Sequence, residues 1–155
     1  MMGSDNVLGV LKGGIVGPSG CPEYPQRVFD RHRQEILQEL IEMREQVKPD
    51  IVLIPSTSDT HQDHQVVTAE AFRAFKTCSI LGYEAPWNNV QFKTDMFVAL
   101  DERHIQKKIQ AIHCYFTQGR KHYFSPEYIR ALATVRGVQI ARPYAESFEV
   151  IRWIA

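Results

Sequence analysis

The chain carries no excess of charge: 18 basic residues stand against 18 acidic ones in 155 positions. A nucleic-acid or anionic membrane partner needs a larger one-signed patch, so neither is expected. The basic pairs Lys107-Lys108 and Arg120-Lys121 read as solvated helix faces or loop ends. Cysteine is scarce as well. Cys21, Cys78 and Cys114 lie far apart without paired metal or redox spacing, which suits free thiols in a reducing compartment, by default the cytoplasm. Long apolar runs are missing: VLGVLKGGIVG is broken by Lys12 and several glycines, too short to span a bilayer and unlike a secretory signal. With no internal repeat or low-complexity linker either, residues 1–155 are expected to form a single domain.

What is present is an alternation of helical and strand patterns. Residues from about Arg31 to Val47 place Ile36, Leu37, Leu40, Ile41, Met43 and Val47 at amphipathic helical spacing, with Pro49 as a stop. IVLIP, residues 51–55, is a continuous apolar run of strand length, as expected of a strand buried on both faces. Val67, Ala71, Ala74, Phe75 and Cys78 then predict a second helix. Further on, QFKTDMFVAL reads as a strand, Asp101 as the cap of a helix with Ile105, Ile109, Ile112 and Phe116 on one face, and Ser125-Pro126 as a helix start. Ile129, Leu132 and Ala133 give that helix its buried stripe, Gly137 stands where a left-handed C-terminal residue is wanted, and SFEVIRWI closes the chain as a strand with two unlike faces. The fold class predicted is α/β, with a mostly parallel sheet and helices on its faces. In such sheets ligands bind at the carboxyl ends of the strands.

SDTHQDHQ, residues 58–65, falls at such an end, directly after IVLIP. Imidazole and carboxylate are usual zinc ligands, and a catalytic zinc keeps an open position for water. His61 and His64 are three residues apart, a spacing that brings both rings to one side of a helical turn, and Asp63 between them is a candidate to orient an imidazole. The same residues also suit a polar loop that caps the next helix. In YEAPWNN, Trp87 and Asn88 are candidates for lining a sugar pocket, against the alternative of a turn held by Pro86 and the asparagines. Glu146 is read as solvent-exposed, His104, His113 and His122 as surface or core-edge residues, and Tyr115 and Gln118 receive no role.

THQDHQVV followed by EAFRAFK resembles the second signature, His-x-x-Asp-His, of the PIG-L/LmbE-like zinc-dependent N-deacetylases. The likeness continues through RHRQEILQEL, PDIVLIPS, SILGYEAPWNN, KIQAIHCYFTQ and RGVQIARPYAESFEVIRW. It implies a Rossmann-like three-layer sandwich and removal of an acetyl group from an N-acetylglucosamine-type small molecule. Carried over by position, it implies His64 as a zinc ligand, His61 as the group that stabilises the oxyanion or helps the amine depart, and Asp63 as a histidine's partner. The family's earlier signature, Pro/Ala-His-Pro-Asp-Asp-Glu, has no counterpart: the chain contains no Asp-Asp pair, and its one histidine before the cluster is His32. An N-terminally truncated member is therefore expected, with an incomplete zinc site and impaired turnover. The alternative is a non-catalytic relative that serves as a binding or subunit-pairing module, for which an open sheet edge offers a homo-oligomer contact.

Overall fold

The computed structural model describes residues 7–11, 14–16, 27–114 and 122–155, which fall into two compact units. The first comprises Met1–Lys93 with Phe148–Ala155, the second Thr94–Ser147. Among the described residues, six strands, β1 (Val7–Leu11), β2 (Gly14–Val16), β3 (Ile51–Pro55), β4 (Ser79–Tyr83), β5 (Met96–Leu100) and β6 (Tyr144–Arg152), run in the order β2-β1-β3-β4-β6-β5, and no helix is long and apolar enough to cross a membrane.

In the first unit, β1 (Val7–Leu11) and β2 (Gly14–Val16) form an antiparallel hairpin. β1 lies parallel to β3 (Ile51–Pro55), and β3 parallel to β4 (Ser79–Tyr83). β6 (Tyr144–Arg152) pairs with β4 antiparallel through its second half. α1 (Arg33–Val47) and α2 (Gln62–Ala74) put Ile36, Leu37 and Leu40 against Val66, Val67, Ala71, Ala74 and Phe75. Val52, Ile54 and Ile80 meet this layer from β3 and β4, as the two-residue period of a strand dictates. Cys78 is buried as a free thiol in the same core.

α1 stops before Pro49 can interrupt it: Lys48 takes a left-handed conformation at φ 49° and donates its amide to the Arg44 carbonyl. Glu70, on α2, is fully buried yet bonded by Arg33 of α1 and by Arg73, so two guanidinium groups meet the one carboxylate. That pairing is the condition under which a buried carboxylate is tolerated.

In the second unit, β5 (Met96–Leu100) is followed by α3 (Glu102–Cys114) and α4 (Pro126–Val138). Only the second half of the expected strand over QFKTDMFVAL forms, because the preceding stretch is drawn elsewhere: the Gln91 carbonyl accepts from the Ser58 hydroxyl. Ser125 caps α4 by accepting the Tyr128 amide at 3.1 Å, with Pro126 in the first turn. Ile105, Ile129 and Ala133 are buried; Phe116 lies outside the described residues. Gly137 has a different role from the left-handed one expected. It is still inside α4, and Ala141 at φ 54° supplies the left-handed turn. Arg130 joins Glu102 of α3 to the Tyr144 hydroxyl, and hydrogen bonds from that guanidinium hold the Glu102 carboxyl down at about 2.

Candidate functional site

β3 ends at Pro55, and the chain then turns sharply: the Asp59 amide donates to the Ser56 carbonyl at 3.1 Å. Asp59 forms an isolated antiparallel bridge with Asn89, and Thr60 donates from its amide and its hydroxyl to the Asn88 carbonyl. The turn is thereby fastened to the PWNN segment. α2 begins immediately afterwards, with His61 as its N-cap and His64 in its first turn.

The two histidines are held in different ways. His61 Nδ1 accepts the Asp63 amide at 3.2 Å, the bond a serine or asparagine cap would make, so the proton of the neutral ring sits on Nε2. His64 Nδ1 lies 2.6 Å from Asp59 Oδ2, a distance at which the ring donates to the carboxylate. With the proton fixed on Nδ1, His64 Nε2 becomes a lone-pair donor, and this buried atom has no hydrogen-bond partner among the described residues. The ring centroids are 4.6 Å apart, which brings a proton-bearing ring beside one that offers a lone pair.

Asp59 anchors both. Its Oδ1 accepts the His61 amide at 2.8 Å while Oδ2 takes the His64 ring. Burial would raise its carboxyl, but bonds from the His64 ring, the His61 amide and the Asn88 amide outweigh this and hold it below the usual range. Asp59 therefore stays ionised at neutral pH, the state that keeps His64 protonated on Nδ1.

The expected role of Asp63 is taken by Asp59. The Asp63 carboxylate accepts the Arg27 amide at 2.8 Å, and only its own amide reaches His61. In the first turn of α2 its side chain is directed to the incoming segment, which Gln62 also holds through the Arg27 carbonyl. Asn88 donates to Asp59 Oδ2 at 3.5 Å, and its neighbour Asn89 braces Ala85 and Ser58, so the asparagines support the turn. Trp87 is 40% exposed. Glu146 is ion-paired with Lys108 in the second unit, and His104 caps α3 by accepting the Asp101 amide. Tyr115 and Gln118, like the His113 side chain, lie outside the described residues.

A zinc-binding histidine characteristically gives its second ring nitrogen to a carboxylate, as His64 does to Asp59. His64 fits one ligand position. A catalytic zinc takes three protein ligands, however, and among the described residues no group of three or more His, Cys, Asp or Glu side chains could hold a metal ion. The described residues thus offer one metal donor and its support, not a complete coordination shell.

Neither the protein-family models nor the curated proteins give a match to the chain. Solved structures do. The 4-carboxy-2-hydroxymuconate hydratase GalB from Pseudomonas putida KT2440 is 24% identical with a TM-score of 0.62, over 79% of this chain and 60% of its own. The N,N'-diacetylchitobiose deacetylase from Pyrococcus horikoshii is 18% identical with a TM-score of 0.57, over 77% of this chain and 51% of its own. The zinc-inhibited form of teicoplanin deacetylase Orf2 is 16% identical with a TM-score of 0.60, over 86% of this chain and 57% of its own. The chain spans half to three-fifths of the length of these structures and shares their α/β fold.

Proposed function

We propose that the chain is a PIG-L/LmbE-like protein and carries the His61/His64 side of an N-deacetylase active site acting on an N-acetylglucosamine-type amide. The observation that carries this reading is the buried Nε2 of His64, without a hydrogen-bond partner among the described residues, with Nδ1 held by Asp59. Two deacetylases among the structures of like fold support it.

Hydrolysis of an acetamide has two electrostatic demands on the protein: a donor for the oxyanion that develops on the carbonyl, and a proton for the departing amine. His61 meets the first through Nε2–H, since its Nδ1 is engaged by the helix cap, and the proton that the departing amine needs is the one the attacking water gives up. Asp59 holds both residues from one carboxylate, so their spacing is set before substrate arrives. Zinc is the cofactor this reading implies, with His64 Nε2 as its donor from this segment.

Hydration is the second reading, favoured by the likeness to the muconate hydratase. A proton-bearing His61 suits addition of water to an unsaturated acid as well. Acetate release separates the two, because hydration liberates none. A non-catalytic module would bind an amino sugar and release no acetate.

Zinc affinity, measured by competition with a chromophoric chelator, tests the assignment of His64. Loss of an outer-shell partner alone typically weakens metal binding by about 10- to 100-fold, so removal of the ligand itself in His64→Ala is expected to cost at least about tenfold. Equal affinity in wild type and His64→Ala would overturn the assignment.

A further inference from the structure

Glu149 is a buried carboxylate to which the chemistry above gives no part; its side chain is 6% exposed. It lies on β6 opposite Gly82 of β4, which in turn registers with Ile54 of β3. With no side chain at Gly82, the glutamate reaches across β4 to the turn that follows β3. There Oε1 accepts the Thr57 hydroxyl at 2.6 Å, and Oε2 accepts the Thr57 amide at 2.8 Å and the Ser56 hydroxyl at 3.1 Å. Among the described residues the one cation within 4 Å is Lys93, at 3.9 Å with its side chain 75% exposed, so these three donors are what chiefly compensates the burial.

A Cβ at position 82 would lie 3.2 Å from Glu149 Oε2 and 3.0 Å from the Ser56 Cα. The gap at Gly82 is therefore filled by the carboxylate and the turn it holds. Ser56 and Thr57 lead directly into Asp59, whose amide closes the turn on the Ser56 carbonyl. Where Ser56 and Thr57 sit determines where the Asp59 carboxylate points, and that carboxylate fixes the His64 tautomer.

We infer that Glu149 is a positioning residue: it clamps the Ser56–Thr57 turn across Gly82 and so holds Asp59 on His64 Nδ1, keeping Nε2 of His64 available. Its value to activity rests on the proposed function. The positioning itself is read without metal or substrate, so failure of the deacetylase reading does not enter the test.

The readout is the tautomer of His64, from long-range proton–nitrogen spectra of the imidazole rings at neutral pH, with circular dichroism to establish folding. Wild type is expected to show one tautomer, protonated on Nδ1. Glu149→Leu removes every acceptor and is expected to give a mixture of tautomers; Gly82→Ala is expected to do the same by displacing the carboxylate. Glu149→Gln can accept through its carbonyl from the Thr57 amide and Ser56 while its amide donates to the Thr57 hydroxyl, so it is expected to restore the single tautomer. Should Glu149→Leu fail to fold, Thr57→Val, at an exposed position, removes the shortest of the three bonds and is expected to shift the spectrum in the same direction. A merely structural glutamate would lower the melting temperature in these variants and leave the His64 tautomer unchanged. That result in folded Glu149→Leu or Thr57→Val overturns the inference, as does a Glu149→Gln spectrum as mixed as that of Glu149→Leu.

Discussion

His61→Asn is expected to lower the rate of acetate release by about 10²- to 10³-fold, the usual loss when one donor to a developing oxyanion is removed. The choice of asparagine matters because His61 has two jobs. Its Nδ1 caps α2 by accepting the Asp63 amide, and asparagine is among the best residues for that role, so the helix start survives. What asparagine lacks is the ring that carries a proton on the far nitrogen. Alanine would confound the measurement, since loss of a cap by itself costs about 1 kcal/mol of stability. The expected signature is a fall in kcat with an unfolding midpoint close to that of wild type. A parallel loss of both would mean that His61 only caps the helix.

Gly137→Ala is expected to produce the largest loss of stability in the second unit. Inside a helix the change to alanine ordinarily gains about 1 kcal/mol. Here the new Cβ would stand 2.5 Å from the Arg142 carbonyl oxygen, 2.8 Å from the Pro143 carbonyl oxygen and 2.8 Å from the Tyr144 amide nitrogen. All three are backbone atoms and cannot swing aside as a flexible side chain would. The Arg142 amide also donates to the Gly137 carbonyl at 3.0 Å, so the chain is tied back onto this position. Overpacking of this kind costs about 1–3 kcal/mol, and contact with backbone puts it at the upper end, which leaves a net loss of about 2 kcal/mol after the helical gain. Urea unfolding of the two proteins measures the difference. A Gly137→Ala protein more stable than wild type would contradict the close approach.

These two sites also mark where the sequence was legible and where it was not. The periodic elements were readable because local pattern and burial agree: Ile36, Leu37 and Leu40 on α1 and Val52 and Ile54 of β3 all face the same core. The fold class and the place of SDTHQDHQ at the carboxyl end of β3 followed from that alternation. Gly137 was readable as special, but two reasons for a helical glycine, a left-handed cap and a close approach, look alike until the return path of the chain is known. Asp59 and Asp63 present the same difficulty at the site. Both carboxylates stand in one short segment, and Asp63 adjoins the histidines in sequence; yet the turn after β3 brings Asp59 under the His64 ring and sends Asp63 to Arg27. Glu149 carried no local signal at all, since its partners Ser56 and Thr57 lie on a strand end more than ninety residues earlier.

The proposed role of His64, held by Asp59, is in a zinc-dependent N-deacetylase chemistry. Its most direct test is acetate release from N-acetylglucosamine derivatives, measured for wild type and His64→Ala over a series of zinc concentrations. Release is expected to be slow in wild type, to rise with zinc and to be lost in His64→Ala. No release from wild type at any zinc concentration, or release that His64→Ala leaves untouched, would contradict it.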